Sequence, residues 1–249
     1  MKLKHNKISI KTILTALIVL FTFAFPASYA KAATTTMTQD KVKLYYNDSA
    51  AGYYSSSTNY IYIKVANDIK NPSVYVRYKY SSYDWSNEYA TFYKALDDNY
   101  SIFKAEVYGF GLIEYSINVH NGEESYINDN NGNYFTNYQV LGDANVVALR
   151  NRSSLGSSDY EIKAAVKNLG YHKDIKVRYT VDNWKTYKEA PLTYKSTNDN
   201  NDEIWSTTID TTGAEYYNFQ YAISYTVNGQ TYWDNNFGLN YDSSHRDNR

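Results

Sequence analysis

Two tryptophans stand beside polar amide residues in the last third of the chain. Trp233 is followed by an aspartate and two asparagines, and Trp184 follows an Asp-Asn pair that is typical of a loop. An indole ring can lie on the apolar C–H face of a sugar, and asparagine side chains both donate and accept hydrogen bonds, as sugar hydroxyls do. Covering one sugar face contributes roughly 1–2 kcal/mol at ~25 cal/mol/Å². These residues are suited to sugar recognition. We expect the binding of a sugar at any single ring to be weak.

The flanking sequence predicts how Trp233 is presented. Over 219–227 the odd-numbered residues are apolar and most even-numbered ones are polar, which is typical of a strand with one buried face. Asn228-Gly229 predicts a two-residue hairpin turn that pairs Ser224 with Trp233. Because opposed residues share a face, we expect Trp233 on the outer side of the sheet. Trp205 shares a strand face with Thr207 and Ile209 and is expected in the core.

The composition excludes several classes of protein. The 249-residue chain has no cysteine, so disulfide scaffolds, thiol nucleophiles and cysteine-ligated zinc are excluded. Its four histidines are scattered singly, and 25 Lys plus Arg against 26 Asp plus Glu leave no basic excess for a phosphate backbone. The asparagine-rich segments 128–133 and 198–203 lack the glycine and glutamate spacing of a calcium loop. We expect no enzymatic activity, no catalytic residues, no cofactor, no metal site and no nucleic-acid partner.

The first 30 residues have the pattern of a secretory signal peptide. Four lysines precede an apolar run over 13–25, and a small-x-small cleavage pattern ends at Ala30. Its removal takes away four of the 25 basic residues and none of the 26 acidic ones, which leaves a net charge of about −5. An uncleaved anchor is the alternative, but the run is short for a spanning helix. We expect a signal peptide over 1–30 and a secreted, extracellular protein with no membrane partner after cleavage.

A pattern of short alternating strands occurs twice. Val-Tyr-Val-Arg-Tyr at 74–78 is matched by Ile-Lys-Val-Arg-Tyr at 175–179, and a tryptophan follows in each copy. Each copy has about 100 residues, the size of one β-sandwich. We therefore predict an all-β protein with two tandem antiparallel β-sandwich domains. The predicted boundaries are a linker at 31–39, the first copy at 40–141, the second at 145–242 and a tail at 243–249.

Four segments of the second copy carry the motifs of a known family. They are Val-Arg-Tyr-Thr at 177–180, Asp-Asn-Trp at 182–184, Asn-Gly-Gln-Thr-Tyr-Trp-Asp-Asn-Asn at 228–236 and Gly-Leu-Asn-Tyr at 238–241. They resemble carbohydrate-binding module family 21, the starch- and glycogen-binding module of some glucoamylases and of glycogen-targeting subunits of protein phosphatase 1. The resemblance implies an immunoglobulin-like β-sandwich with two surface sites for α-glucan.

Matching positions assign residues to both sites. The resemblance implies that the first site uses two platforms and two amides: Trp184, Trp233, Asn235 and Asn240. It implies that the second site uses a loop and a strand residue: Asn168, Tyr171, Lys173 and Tyr194. Ala222 stands where the family has a further aromatic platform, so a third stacking contact is not expected.

The first copy is more divergent, and two interpretations of it conflict. The resemblance assigns five of its residues to a first site: Trp85, Tyr115, Tyr126, Asn128 and Asn133. Lys70 replaces the tyrosine of the second site. Alternation, however, places Tyr115 inward, and a two-residue Asn121-Gly122 hairpin pairs Tyr126 with Ile117 on the same inner face. Either a bulge shifts this strand or these tyrosines belong to the core.

The sequence predicts a secreted, non-catalytic protein that binds α-glucan polysaccharide, with a separate amylolytic enzyme as a candidate partner. The alternative is a secreted structural or adhesive β-sandwich protein with another ligand. The acidic pairs at 97–98 and 123–124 lie in turns with nothing to set them at glycosidase distances. A phosphatase-targeting role needs a docking segment that Lys41-Val42-Lys43-Leu44 only approximates, and we do not expect it.

Overall fold

The alternating aromatic and β-branched segments form long antiparallel strands, as period-two patterning predicts. The computed structural model describes residues 36–51, 56–80, 83–150, 159–215 and 218–244. The predicted signal peptide lies outside the described residues, as do 31–35 of the predicted linker and 245–249 of the predicted tail. The all-β class is confirmed. No helix among the residues just given is long and apolar enough to cross a membrane.

The first half of the described chain, residues 36–140, forms one eight-stranded antiparallel sheet. Its strands are β1 (Val42–Ala51), β2 (Ser56–Ala66), β3 (Ser73–Tyr80), β4 (Ser86–Ala95), β5 (Tyr100–Phe110), β6 (Ile113–His120), β7 (Ser125–Asn128) and β8 (Phe135–Thr136). The order is β1-β2-β5-β4-β3-β6-β7, with β8 also paired to β6. Strand β4 pairs with β3 at its start and with β5 at its end, so the sheet curls around one apolar core.

The second half, residues 145–244, forms two sheets packed face to face. Its strands are β9 (Val146–Leu149), β10 (Asp159–Lys167), β11 (Lys173–Thr180), β12 (Lys188–Pro191), β13 (Thr193–Thr197), β14 (Asp202–Asp210), β15 (Gln220–Val227), β16 (Gln230–Asp234) and β17 (Tyr241–Asp242). One sheet has the order β13-β14-β10-β9, and the other has the order β12-β11-β15-β16 with β17 paired to β15. The core between them is rich in aromatic rings, such as Tyr160 and Phe219 at 4.8 Å between centroids.

The structure confirms one of the two predicted hairpins and contradicts the other. At Asn228-Gly229 the register is confirmed, with Ser224 opposite Trp233. At Asn121-Gly122 the two-residue turn is wrong, because the loop has four residues and Tyr126 pairs with Val119 rather than Ile117. The Asn121 side-chain oxygen accepts the backbone N–H groups of the third and fourth loop residues at 3.0 and 2.8 Å, which stabilises the wider loop.

Between the halves, residues 140–144 form a junction segment that runs along β1. Three backbone hydrogen bonds join Gly142, Asp143 and Ala144 to β1 at 2.8–3.1 Å. The Asp143 carboxylate also accepts from the Lys64 ammonium at 2.7 Å and the Lys43 ammonium at 3.3 Å. The junction segment is therefore held as firmly as a strand and does not act as a flexible tether.

A third apolar cluster lies between the halves. Tyr46, Tyr62 and Ile102 of the first half pack with Val147 and Ala165 of the second. As a result the described chain forms one compact unit. The division into two tandem immunoglobulin-like domains at 40–141 and 145–242 stays a prediction.

Candidate functional site

Trp233 lies on the outer face of the five-stranded sheet. Its side chain is 46% exposed, and its neighbour across the hairpin is Ser224. The Arg178 guanidinium lies 5.0 Å from the indole centroid and is itself bound to the Glu189 carboxylate at 2.7 Å. This cation–π contact fixes the orientation of the ring. Trp233 is thus a rigid, open platform.

Trp184 is presented by a tightly hydrogen-bonded loop. The Thr180 hydroxyl accepts the backbone N–H of Trp184 at 2.9 Å, and the Asp182 carboxylate accepts both the N–H and the hydroxyl of Thr186 at 2.9 and 2.7 Å. These bonds lower the pKa of Asp182 to about 2. Asn183 and Trp184 both have positive φ, 57° and 62°, a costly conformation for an indole residue. The hydrogen bonds of the loop offset this backbone strain and hold the ring in position.

The two tryptophans lie along one side of the outer face. Trp184 is half-buried, and its Nε1 donates to the Gln220 side-chain oxygen at 2.7 Å. Gln220 and Ser224, the neighbour of Trp233, are four residues apart on β15, or ~13 Å at ~3.3 Å per residue. The small Ala222 lies between them. The arrangement gives two separated platforms on one surface, which we call the tryptophan surface (Trp184, Gln220, Ala222 and Trp233).

The polar loop after Trp233 is shaped by its own asparagines. The Asn235 side-chain oxygen accepts the Gly238 N–H at 2.9 Å and caps a 3-10 turn over Asn236–Gly238. The Asn236 side chain donates to the Asn240 carbonyl at 3.1 Å. Asn235 and Asn240 are both partly exposed. The predicted amides therefore accompany the tryptophan platforms on a defined loop.

Asp234, next to Trp233, is buried and points inward. Its carboxylate accepts the Tyr241 hydroxyl at 2.9 Å and the Ala148 N–H at 2.6 Å. Burial raises the pKa of this carboxyl to about 6 despite these hydrogen bonds. Asp234 thus ties β16 to β17 and to β9 underneath the platform and is a structural rather than a sugar-contacting group.

The raised pKa of Asp234 predicts how stability depends on pH. The folded protein holds this proton up to about pH 6, whereas an unfolded chain releases it near 3.8. The contribution of this group to the free energy of unfolding therefore falls as pH rises from about 4 to 6, by about 3 kcal/mol in all. We expect the stability of Asp234→Asn relative to the wild type to increase over that range in urea titrations. Asp199→Asn controls for the loss of one charge, and parallel curves for wild type and Asp234→Asn would contradict the assignment.

The residues predicted for a second site partly converge at the other end of the sandwich. The Lys173 ammonium donates to the Asn168 side chain at 2.9 Å and to the Glu203 carboxylate at 3.0 Å. The other Glu203 oxygen accepts from Trp205 Nε1 at 3.0 Å. Tyr194 lies edge-on to Trp205, with 5.9 Å between ring centroids. Lys173 is largely buried, so it positions its neighbours more than it meets solvent.

Two exposed tyrosines complete this second surface, which we call the tyrosine surface (Asn168, Tyr171, Lys173, Tyr194, Glu203 and Trp205). Tyr171 is 92% exposed and Tyr194 is 51% exposed. Trp205 packs partly on the core, as expected, but its edge also reaches this surface. Sequence reasoning missed Glu203 and this second role of Trp205. The signal was present, because residues two apart on a strand share a face.

In the first half two of the five predicted site residues are buried, and a third packs partly on the core. Tyr115 is fully buried, and Tyr126 packs against the same core opposite Val119. Asn128 is buried, and its side chain donates to the Val42 carbonyl at 2.8 Å. The inward alternation was therefore the correct interpretation, and no bulge interrupts the pairing of β6 with β3. The assignments of Tyr115 and Asn128 are therefore wrong, and that of Tyr126, which is only half-buried, stays a prediction.

The remaining two residues lie near a different aromatic partner. Trp85 is half-buried and lies 5.0 Å from Tyr134 between ring centroids. Lys79 and Arg77 place their cations 5.2 and 5.4 Å from the Trp85 ring. Asn133 is exposed and adjacent to Tyr134 in the chain. The Trp85 ring is half-buried with two cations and the Tyr134 ring close to it, whereas Trp233 is 46% exposed with one neighbouring cation, so Trp85 is the less open platform.

Within the described ranges, no three His, Asp or Glu side chains group closely enough to hold a metal ion.

The segment that approximates a phosphatase-docking motif lies in β1. Its apolar residues, Val42 and Leu44, are buried. That segment is therefore not exposed for docking.

Comparison with known proteins gives one family match. Residues 144–244 match the model of the carbohydrate/starch-binding module (family 21). The match covers a single module in the second half, and two tandem copies therefore remain a prediction.

Curated relatives match part of the chain. Human protein phosphatase 1 regulatory subunit 3B is 38% identical over 80 residues, which are 30% of this chain and 28% of the relative. The Bos taurus subunit is 35% identical over 97 residues, 37% of this chain and 32% of the relative. Glycogen-binding subunit 76A of Drosophila melanogaster is 27% identical over 99 residues, 38% of this chain and 14% of the relative. The chain thus spans less than a third of the length of these relatives.

Two solved structures are similar to parts of the chain. The starch-binding domain of Rhizopus oryzae glucoamylase, in complex with β-cyclodextrin and maltoheptaose, is 28% identical with a TM-score of 0.34 and covers 40% of this chain and 92% of its own. The carbohydrate-binding module of the muscle glycogen-targeting subunit of protein phosphatase 1 is 23% identical with a TM-score of 0.33, and covers 39% of this chain and 73% of its own.

Proposed function

We propose that this chain is a secreted, non-catalytic protein that binds α-glucan through its second half. The observation that carries the proposal is the pair of tryptophans, rigidly held along one outer sheet face beside an amide-rich loop. The match of residues 144–244 to a carbohydrate/starch-binding module supports it. The name of the Drosophila relative, a glycogen-binding subunit, indicates the same polymer class.

The geometry of the tryptophan surface suits a polymer better than a single sugar. Each indole face contributes roughly 1–2 kcal/mol on covering one sugar ring, and each amide hydrogen bond adds ~1 kcal/mol. The two platforms lie beside Gln220 and Ser224, which are ~13 Å apart along β15, so they can engage different units of the same polymer. Because both are held rigid before binding, little conformational entropy is lost.

The tyrosine surface offers a second attachment point on the same sandwich. Tyr171 and Tyr194 are exposed, and the Lys173–Glu203 pair holds the polar groups beside them in place. Two weak sites on one rigid body gain affinity for a branched or long polymer through effective concentration. A separate amylolytic enzyme that acts on the same polymer is the partner this role implies.

Affinity electrophoresis tests the proposal directly. We expect native protein to be retarded in gels that contain glycogen or soluble starch and to run unchanged in gels that contain hydroxyethyl cellulose. Unchanged migration in every gel would overturn α-glucan binding and favour a structural or adhesive protein with another ligand. Equal retardation by the cellulose derivative would overturn the specificity. The mass of the protein in culture medium tests secretion, with cleavage after Ala30 expected.

A further inference from the structure

The loop that carries Asn235 and Asn240 is anchored on the first half of the chain by Phe237. Phe237 has a positive φ of 53°, which turns its ring out of the loop. The ring lies 5.5–6.1 Å, between centroids, from four tyrosines of the first half: Tyr45, Tyr46, Tyr62 and Tyr93. The Lys94 ammonium also donates to the Phe237 carbonyl. The position of the amide loop is thus set by residues far away in the sequence.

This contact leaves a cleft beside Trp233. The cleft has a volume of about 210 Å³ and is bounded by Tyr45, Ala95 and Leu96 of the first half and by Trp233 and Asn235 of the second. Its walls combine aromatic rings, aliphatic groups, an amide and the carboxyl group of Asp234. These are the group types that recognise a sugar ring and its hydroxyls. The cleft opens next to a platform that already belongs to the tryptophan surface.

The size of the cleft limits what it can hold. Pockets for drug-sized ligands enclose about 300–1,000 Å³, so a cavity of about 210 Å³ suits one ring rather than several. Burial raises the pKa of Tyr45 to about 12, so its hydroxyl stays protonated and can donate a hydrogen bond. The cleft therefore offers a donor, an amide and apolar walls to a neutral ligand.

A second cavity of similar volume suits this ligand less well. It is lined by Lys104, Arg150 and Asp48, among others. The Arg150 guanidinium is already bound to the Asp48 carboxylate at 2.8 Å and lies 4.8 Å from the Tyr60 ring centroid. A neutral sugar would have to compete with these contacts.

We propose that the cleft between the two halves is an additional subsite, which takes the glucose unit next to the one stacked on Trp233. On this assignment the first half completes the glucan-binding surface of the second through Tyr45, Ala95 and Leu96. The inference rests on the proposed function, since it assumes that Trp233 binds glucan. It adds a binding role for a part of the chain that the family match does not cover.

The test fills the cleft and compares a short with a long ligand. Ala95 and Thr91 are both exposed residues of β4, but only Ala95 borders the cleft. Binding of maltotriose and maltoheptaose is measured by calorimetry for Ala95→Val, Ala95→Ile and the control Thr91→Ile. The parent protein and all variants carry Tyr171→Ala and Tyr194→Ala, so that the measured binding comes from the tryptophan surface alone. We expect Ala95→Ile to weaken maltoheptaose and maltotriose about tenfold, because either ligand can place a unit in the cleft beside Trp233, and Ala95→Val to weaken both less.

The outcomes separate the two proposals. If the parent protein binds both ligands and Ala95→Ile binds maltoheptaose as well as the parent does, the subsite is wrong while the proposed function stands. Equal losses for Ala95→Ile and Thr91→Ile would also overturn the subsite, because the effect would not depend on the cleft. If the parent binds neither ligand, the proposed function fails and the subsite fails with it.

Discussion

The Trp184→Ala, Trp233→Ala double variant is expected to lose most of its retention by glycogen in affinity electrophoresis and to keep only the weak retention that the tyrosine surface provides. Each substitution removes one indole face, worth roughly 1–2 kcal/mol. A total of about 3 kcal/mol corresponds to a loss of roughly a hundredfold in affinity. Since each ring binds weakly alone, we expect each single variant to be retarded less than the wild type but more than the double variant.

The double variant should stay folded, because neither ring is part of a closed core. Trp233 is 46% exposed and Trp184 is held in a surface loop. We expect the free energy of unfolding to change by less than about 1 kcal/mol. Tyr138→Ala is the matched control, since it removes an aromatic ring that is 67% exposed in the first half. Undiminished retention of the folded double variant would show that the polymer binds elsewhere.

Gly142→Ala is expected to destabilise the whole molecule by about 3 kcal/mol or more. A Cβ at this position would lie 2.1 Å from the backbone oxygen of Leu44 and 2.6 Å from its carbonyl carbon. Backbone atoms of β1 cannot move aside without breaking the hydrogen bonds that join the junction segment to this strand. Overpacking of this kind typically costs about 1–3 kcal/mol, and a clash with backbone lies at the upper end. Urea unfolding followed by circular dichroism measures the effect.

Gly109→Ala is the control for that substitution. A Cβ at Gly109 would approach Ile113 at 2.9 Å, but the contact is with the terminal methyl group of a side chain that can rotate. We expect a change within about 1 kcal/mol. Similar losses for the two variants would contradict the proposed role of the junction segment and would instead indicate a general requirement for glycine in these strands.

Features that depend on residues close together in the chain were predictable from the sequence. The outward position of Trp233 follows from strand alternation and one Asn-Gly turn, which involve residues close together in the chain. The same alternation correctly placed Tyr115 inside, where positional matching with the family placed it in a site. The longer loop of the first hairpin shifts the register of Asn128 and the other residues after it, whereas Tyr115 lies before that loop and its inward position follows from strand alternation alone.

Contacts between distant residues were not predictable in the same way. Phe237 is a single aromatic residue in a polar loop, and its partners lie more than 140 positions earlier in the chain. Glu203 was missed although it shares a strand face with Trp205, because its other hydrogen-bonded partner, Lys173, belongs to the opposite sheet. No periodic pattern in the sequence indicates contacts between different sheets or between the two halves, which form only when the chain is packed.

The pairing of residues 140–144 with β1 affects how this protein can be dissected. A fragment starting at residue 144, where the family match begins, would lose the strand that shields Val147 and Ala165 and the tyrosines that surround Phe237. These apolar groups would face water and favour self-association. Truncated versions would therefore misrepresent the solubility of the intact molecule, and fragment studies should keep residues 36–244 together.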